Sequence, residues 1–371
     1  MRDDGRFEIF LSAPPGLEPV LLAEVRGKGF NSPRIVPGGV TIRGGWPEVW
    51  RANLWVRGAG RVLARIASFR AERLEELEKR ARGVGWKDLL RPDRPFRVEA
   101  TCRRSRIYHS DAAAERVGNA IRETLGARMS ADAAIVVRAR IEDDACELSL
   151  DSSGELLHKR GYKEAVGKAP IRETMAALFL MQCGFTGTEP VVDPMCGAGT
   201  FVIEAAEIAC RLNPGRARHF AFEHFAGFDA GAWQRMREVK SARPPAARCH
   251  GFDRDAGAID AAMQNAARAG VADGTAFRRA AISEAAPPEG PPGLVVVNPP
   301  YGERIGGDKD LIPLYGSLGQ VLRTRFAGWR VGLVTSEPTL AEATGLPFLP
   351  TTAPVPHGGL RVTLYRTAPL A

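Results

Sequence analysis

The chain has 371 residues, enough for two or three domains, and its 44% hydrophobic and 25% charged residues are the balance of an ordinary globular protein. The net charge is +8, and no apolar run approaches the roughly 18 residues of a membrane-spanning helix. Six scattered cysteines without a C-x-x-C pair, and six histidines without ligand spacing, set aside a zinc ribbon, a disulfide framework and a metal site.

The opening MRDDGRFEIF lacks the basic-then-apolar order of a signal peptide, so a cytoplasmic location is expected. Residues 1–160 hold 29 Lys and Arg against 23 Asp and Glu, and the remainder 22 against 20. A basic first part beside a nearly neutral second part suits a polyanionic partner.

Residues 1–65 alternate short apolar runs (Phe7 to Leu11, Val40 to Ile42, Val62 to Ile66) with helix-like stretches such as Leu17 to Gly29, the pattern of a small α+β unit. Residues 66–160 form a second unit. Leu74, Leu77 and Ala81 share one face of a predicted helix over Ala71–Arg82, and Phe96–Thr101 alternates like a strand. Ser110 and Asp111 offer the start of a further helix carrying Val117, Ile121 and Leu125, and Ile135–Ile141 with Cys146–Leu150 reads as a hairpin.

Two basic-aromatic clusters fall in this part. Arg103, Arg104 and Arg106 precede Tyr108, and Arg pairs with phosphates and stacks on bases, so the stretch reads either as a nucleic-acid contact or as a solvated loop. Lys159, Arg160, Tyr162 and Lys163 lie at the junction with the last part, where they read as RNA contacts or as a basic linker. Pro170 then opens a predicted helix over Ile171–Cys183.

The stretch PVVDPMCGAGTFVIE, residues 190–204, organises residues 161–371. A short apolar run ends in Asp193, a turn carries Gly197 and Gly199, and a helical pattern follows from Thr200. This is how a doubly wound sheet presents a cofactor. The G-x-G-x-x-G fingerprint of a dinucleotide fold is incomplete, because Val202 stands at its third glycine and the next strand-ending acid is Asp253. An acid before the glycines suits the ammonium of a methionine-derived ligand. The turn therefore reads as a site for S-adenosylmethionine (SAM), the alternative being an ordinary tight turn. Candidate cofactor contacts are Asp193, Met195, Gly197, Gly199, Thr200 and Asp253, with Asp253 placed to accept ribose hydroxyls.

Five large aromatics (Phe220, Phe222, Phe225, Phe228, Trp233) fill an insertion over residues 213–243, which reads as a packed flap or as a base-stacking platform. Asp255 suits a helix N-cap. A third strand over Thr275–Ala281 ends on Ala280 and Ala281, where an acid would be expected to hold an adenine amine. Either a backbone group does so or the register differs.

Leu294–Val297 is a buried-type apolar run ending in Asn298, Pro299, Pro300 and Tyr301. An exocyclic base amine is a poor nucleophile, because its lone pair is delocalised into the ring. The Asn298 side-chain carbonyl and the Pro299 carbonyl can each accept one of its N–H groups, which turns the lone pair toward a methyl donor. Tyr301 can stack on a flipped base. Positioning against a sulfonium then needs no covalent nucleophile.

DPMCGAGT, NPPYGERI, LHKRGYKEAVGKAPIRET and FAFEHFAGFD together resemble the THUMP-domain guanine-N2 methyltransferases of the RlmL type. The resemblance implies an α/β protein: a ferredoxin-like domain over 1–65, a THUMP RNA-binding domain over 66–160 and a Rossmann-like class I methyltransferase domain over 161–371. It implies SAM as cofactor, a guanine of 23S rRNA as substrate, and Arg304 among the RNA contacts. Longer relatives carry a second methyltransferase domain, and this chain is expected to be similar to the short form. The rival readings are tRNA guanine-N2 methylation, DNA adenine-N6 methylation and a non-catalytic RNA-binding assembly factor.

Overall fold

The computed structural model describes residues 5–164, 171–238, 242–302 and 308–371. Contacts divide the chain into two units. One comprises residues 1–13, 22–157 and 218–239, and the other residues 14–21, 158–217 and 240–371.

In the first unit β1 (Phe7–Ser12), α1 (Glu18–Gly27), β2 (Arg34–Val36), β3 (Gly39–Gly44), α2 (Trp46–Trp55) and β4 (Val62–Arg70) come first, α1 being divided between the units. Then follow α3 (Leu74–Arg82), α4 (Trp86–Leu89), β5 (Phe96–Arg103), α5 (Ser110–Leu125), β6 (Ile135–Glu142) and β7 (Ala145–Asp151). The described strands form one sheet in the order β2-β3-β1-β4-β7-β6-β5.

The continuity of this sheet comes from β4. The sequence ends its apolar run at Ile66, but the strand runs on to Arg70, pairing antiparallel with β1 through Val62–Arg65 and with β7 through Leu63–Arg70. A bulge between Arg65 and Ala67 absorbs the register change. The expected boundary at residue 65 thus falls within a strand that both halves of the sheet share. The β6–β7 hairpin turns through Asp143 (φ 50°) and Asp144 (φ 61°), the left-handed pair that a two-residue turn needs and that Asp tolerates better than most residues.

The aromatic insertion belongs to this unit by contact. Its only α-helix among the described residues is α8 (Ala230–Glu238). Phe222 is fully buried, with its ring centroid 5.2 Å from Phe220, 5.0 Å from Trp233 and 6.0 Å from Trp50 of α2. The insertion is a packed flap, and Phe220, Phe222, Phe225 and Trp233 are too buried to stack on bases.

The second unit contains α6 (Glu173–Gln182), β8 (Val191–Asp193), α7 (Thr200–Ala209), β9 (Cys249–Asp253), α9 (Ala256–Ala269), β10 (Thr275–Arg279) and β11 (Leu294–Val297). It continues through α10 (Asp308–Arg325), β12 (Arg330–Thr335), α11 (Pro338–Ala343), β13 (Val355–His357) and β14 (Leu360–Arg366). α6 starts two residues after the expected Ile171, and Pro170 lies outside the described residues. The sheet order is β10-β9-β8-β11-β12-β14-β13, parallel from β10 to β12 with β14 antiparallel.

β8 lies at the topological switch, flanked by β9 and β11, so the chain leaves neighbouring strands in opposite directions and opens a crevice at their carboxyl ends. All four residues of β11 and all three of β8 are buried, as continuous apolar strands covered on both faces must be.

Candidate active site

The carboxyl ends of β8, β9 and β11 carry Asp193, Asp253 and, one residue past the strand, Asn298. Pairing of Val191 with Leu294 and of Asp193 with Gly251 brings these three strand ends together. The glycine turn bridges two of them. The Cys196 amide donates to the Phe252 carbonyl at 2.8 Å, and the Gly197 amide donates to Asp253 Oδ2 at 2.9 Å.

Gly197 (φ 51°) and Gly199 (φ 83°) both occupy left-handed backbone. A Cβ on Gly199 would stand 3.0 Å from the Ala262 methyl, so close packing of the turn on α9 also demands glycine there. At Gly197 a Cβ would meet nothing within 4 Å, which leaves the peptide open on the side where a ligand would lie. Asn265 of α9 donates from Nδ2 to the Ala198 carbonyl at 3.1 Å and pins the turn from behind. No sequence signal marks Asn265, because a single polar residue in an amphipathic helix has no distinctive spacing.

The two carboxylates differ. Asp193 is buried, accepts only the Met195 amide (3.0 Å at Oδ1), and has no ion-pair partner among the described residues. Burial pushes its carboxyl well above the ordinary carboxylate range, against the lowering by the Met195 amide, and the Asp253 charge adds to the rise. Such a group is suited to a cationic ligand. Asp253 is half-buried, with Oδ2 on Gly197 and Oδ1 accepting the Asp255 amide at 3.0 Å. Each oxygen keeps a further lone pair for a hydroxyl. A buried uncompensated acid for an ammonium, a paired acid for a diol and an open glycine peptide between them fit an adenosyl amino acid.

β10 ends at Arg279, two residues short of the expected Ala281, so Ala280 and Ala281 follow the strand. The Ala280 amide is taken by the Asp253 carbonyl at 2.9 Å. A carboxylate returns here from the next turn, Glu284, whose Oε2 accepts the Ala281 amide at 2.8 Å. Asp255 caps α9 as expected, accepting the Gly257 amide at 2.8 Å.

At the end of β11, Asn298 Oδ1 is shielded from solvent and has no hydrogen-bond partner among the described residues. A buried carbonyl left unmatched costs about 1–3 kcal/mol, so native sites rarely keep one without a use. Pro299 is buried, and the Pro300 carbonyl accepts the Tyr315 hydroxyl of α10 at 3.1 Å, which holds the turn rigid. Tyr301 and Met195 are half-buried against the hydrophobic cluster that holds Val297, Tyr315 and Leu318. Tyr315, fully buried, has no mark in the sequence beyond helical spacing.

The basic clusters are placed differently from the expectation. Arg160 is 3% exposed and forms a buried pair with Glu204 of α7, Nε to Oε1 3.1 Å. Tyr162 is 3% exposed, and its carbonyl accepts Arg268 Nε at 2.8 Å. Neither can reach RNA, because both are enclosed in the second unit. Lys163 is mostly buried, bridging Glu173 and Thr200, while Lys159 is exposed.

In the first unit, Arg104 pairs with Glu142 (2.7 Å) and Asp143 (3.1 Å), and Arg106 pairs with Glu72. These exposed pairs are weak, yet they offset much of the charge expected to meet phosphate. Arg103 is exposed at the end of β5, and Tyr108 is 72% exposed. Arg304 lies outside the described residues.

Among the described residues no cluster of His, Cys, Asp or Glu could hold a metal ion, and no helix is long and apolar enough to cross a membrane. All six cysteines are free thiols.

Comparison with known proteins bears on this geometry. Residues 8–63 match the model of the RlmL ferredoxin-like domain, 71–151 the THUMP domain, and 160–349 the RMKL-like methyltransferase domain. The chain is 38% identical over 363 residues to ribosomal RNA large subunit methyltransferase K/L of Syntrophotalea carbinolica, covering 92% of this chain and 51% of that protein. The chain spans about half the length of the curated relatives it matches. Among solved structures it is similar to one described as a predicted N6-adenine-specific DNA methylase from Listeria monocytogenes (32% identity, TM-score 0.87, 97% and 96% of the two chains). It is also similar to SMU.472 in complex with SAH (26% identity, TM-score 0.87, 99% of each chain). With the doubly wound sheet, the strand-end acids and these matches together, the chain belongs to the RMKL-like methyltransferase-domain family.

Proposed function

We propose that this chain methylates the exocyclic N2 amine of a guanine in 23S rRNA, using SAM as its cofactor. Asp193, Met195, Gly197, Gly199, Thr200 and Asp253 would hold that cofactor, which supplies a methyl group on an electrophilic sulfonium. The observation that carries the reading is the shielded, unmatched Oδ1 of Asn298 at the crevice edge. It accepts one N–H of the target amine, and the Pro299 carbonyl accepts the other. The amine is thereby oriented with its lone pair free, while Tyr301 offers a face for the flipped base. Glu284 is the candidate partner of the adenine amine.

The ribosomal RNA substrate is supported by the match to the THUMP domain and by the rRNA methyltransferase K/L relatives. The proposed domain divisions are near residue 160 and, within the shared strand β4, near residue 65. The first unit also offers a better polyanion surface than the loop at 103–106. A groove of about 1450 Å³ runs along β4 and α3, with Arg43, Lys79 and Arg80 on its walls. Of its five acids, Glu8 and Glu147 are matched by Arg65 and Glu72 by Arg106, while Glu76 and Asp88 also line it. Arg43, Lys79 and Arg80 are exposed and have no ion pair among the described residues.

Replacing Arg43, Lys79 and Arg80 together by alanine should weaken RNA binding at low salt. It should also flatten the slope of log K against log salt by about 2–3, close to one for each phosphate no longer neutralised. A slope equal to that of the unaltered protein would place the RNA elsewhere.

A second reading, DNA adenine-N6 methylation, shares the Asn-Pro-Pro-Tyr chemistry and is favoured by the description of the Listeria protein. Labelled methyl transfer onto unmodified 23S rRNA, 16S rRNA, bulk tRNA and duplex DNA, with the product nucleoside identified by mass spectrometry, separates these readings. N2-methylguanosine in 23S rRNA alone is expected. N2-methylguanosine in tRNA would move the substrate, and N6-methyladenine in DNA would replace the proposal.

A further inference from the structure

The sequence pattern reads Lys163 as an RNA contact, but its surroundings point inward. The ammonium is 2.9 Å from Glu173 Oε1 and donates to Thr200 Oγ1 at 2.9 Å; the side chains of Lys163 and Glu173 are 12% and 5% exposed. Thr200 is the first residue of α7, immediately after the glycine turn. A cation at the positive end of a helix is electrostatically unfavourable unless an anion accompanies it. Glu173 supplies one negative charge on the far side of the bridge.

Lysine has three N–H donors and no acceptor, so the Thr200 oxygen must receive from it, and the hydroxyl hydrogen is directed elsewhere. Lys163 thus leaves Thr200, at the start of α7, with its hydroxyl hydrogen to donate to another acceptor. The third ammonium N–H has no acceptor among the described residues. Across the turn, Asp193 is a buried acid without a counter-cation among the described residues. An acid lacking a cation and a cation-supported donor, on either side of one glycine turn, are complementary to the two charges of an α-amino acid.

Resting on the reading of this turn as the SAM site, we propose that Lys163 is a positioning residue. Acting through Thr200, it prepares the start of α7 for the carboxylate of the cofactor's methionine end, while Asp193 takes the ammonium.

The test compares two ligands that share the thioadenosine and differ in the amino-acid end: S-adenosylhomocysteine and 5′-methylthioadenosine. Calorimetric titration of Lys163→Met should show S-adenosylhomocysteine binding weakened by about tenfold or more, the scale of removing a charge-assisted hydrogen bond. Methylthioadenosine binding should change by less than about twofold, since it lacks the carboxylate that this bond serves. Thr200→Val should reproduce the effect, and the double variant should be no worse than the more affected single one, because both remove one interaction. Lys163→Arg, which keeps the cation, should recover most of the affinity.

Equal weakening of both ligands would reduce Lys163 to general support of the fold and overturn the proposal. So would unchanged binding of both with a loss of RNA affinity, which would return Lys163 to RNA contact. Should Lys163→Met fail to fold, Thr200→Val carries the same comparison. If the unaltered protein binds neither ligand, the SAM reading of the turn fails, separately from the role of Lys163.

Discussion

Replacing Asn298 by alanine is expected to lower the rate of methyl transfer by about 10²–10³-fold at saturating SAM and RNA, while leaving S-adenosylhomocysteine affinity within about twofold, the scale of removing one preorganised hydrogen bond in a shielded site. The reason is differential. A base amine donates to Asn298 Oδ1 whenever it is bound, but the bond strengthens as positive charge grows on nitrogen during transfer. It is therefore worth more in the transition state than in the ground state. Oδ1 is shielded and without a partner among the described residues, so it offers an acceptor whose strength is not diluted by bulk solvent. Asn298→Asp keeps an acceptor of the same reach and should retain more activity than Asn298→Ala. Single-turnover rates with calorimetric titration of the cofactor product separate the two steps. A rate within a few-fold of the unaltered protein would remove Asn298 from the chemistry and leave its shielded oxygen without a role.

The site is legible in the sequence where one short stretch imposes its own geometry. In 190–204 the acid, the glycines with left-handed φ and the helix start are all local, so the turn can be read without knowing its neighbours. Asn298 is legible for the same reason: a buried apolar strand ending in two prolines has few conformations. What stays hidden depends on partners distant in the chain. Arg160 and Tyr162 look like an RNA-binding pair until Glu204, 44 residues on, encloses the arginine in a buried pair. Arg104 loses its apparent freedom to Glu142 and Asp143 of the opposite hairpin. The apolar run stops short of the end of β4 because the last residues of that strand alternate toward solvent, and only pairing with β7 shows that it continues. Type and period can be read locally; the identity of a charge's partner cannot.

The aromatic insertion illustrates that limit and carries the other large effect. Phe222→Ala is expected to destabilise the first unit by about 3–5 kcal/mol, the range for truncating a fully buried aromatic. Phe222 has no exposed surface, and its ring meets Phe220, Trp233, Trp50 and Phe228 within 6 Å. Collapse around the void is opposed because three of those neighbours, Phe220, Trp233 and Trp50, are themselves buried. Its backbone is tied as well, the Phe222 amide donating to the Ser152 carbonyl at 3.1 Å.

In a unit of this size each kcal/mol lowers Tm by roughly 2–4 °C, so a fall of about 10 °C is expected. Differential scanning calorimetry should show which part of the molecule suffers. Residues 218–239 follow α7 in the chain but cluster with the first unit. The lowered transition should therefore be one that S-adenosylhomocysteine does not raise, while the ligand-stabilised transition keeps its midpoint. Loss of the ligand-stabilised transition instead would mean that the insertion serves the methyltransferase unit it interrupts. Phe222→Leu, which refills most of the volume, should restore more than half of the lost stability, as expected if packing rather than an unpaired polar group causes the loss.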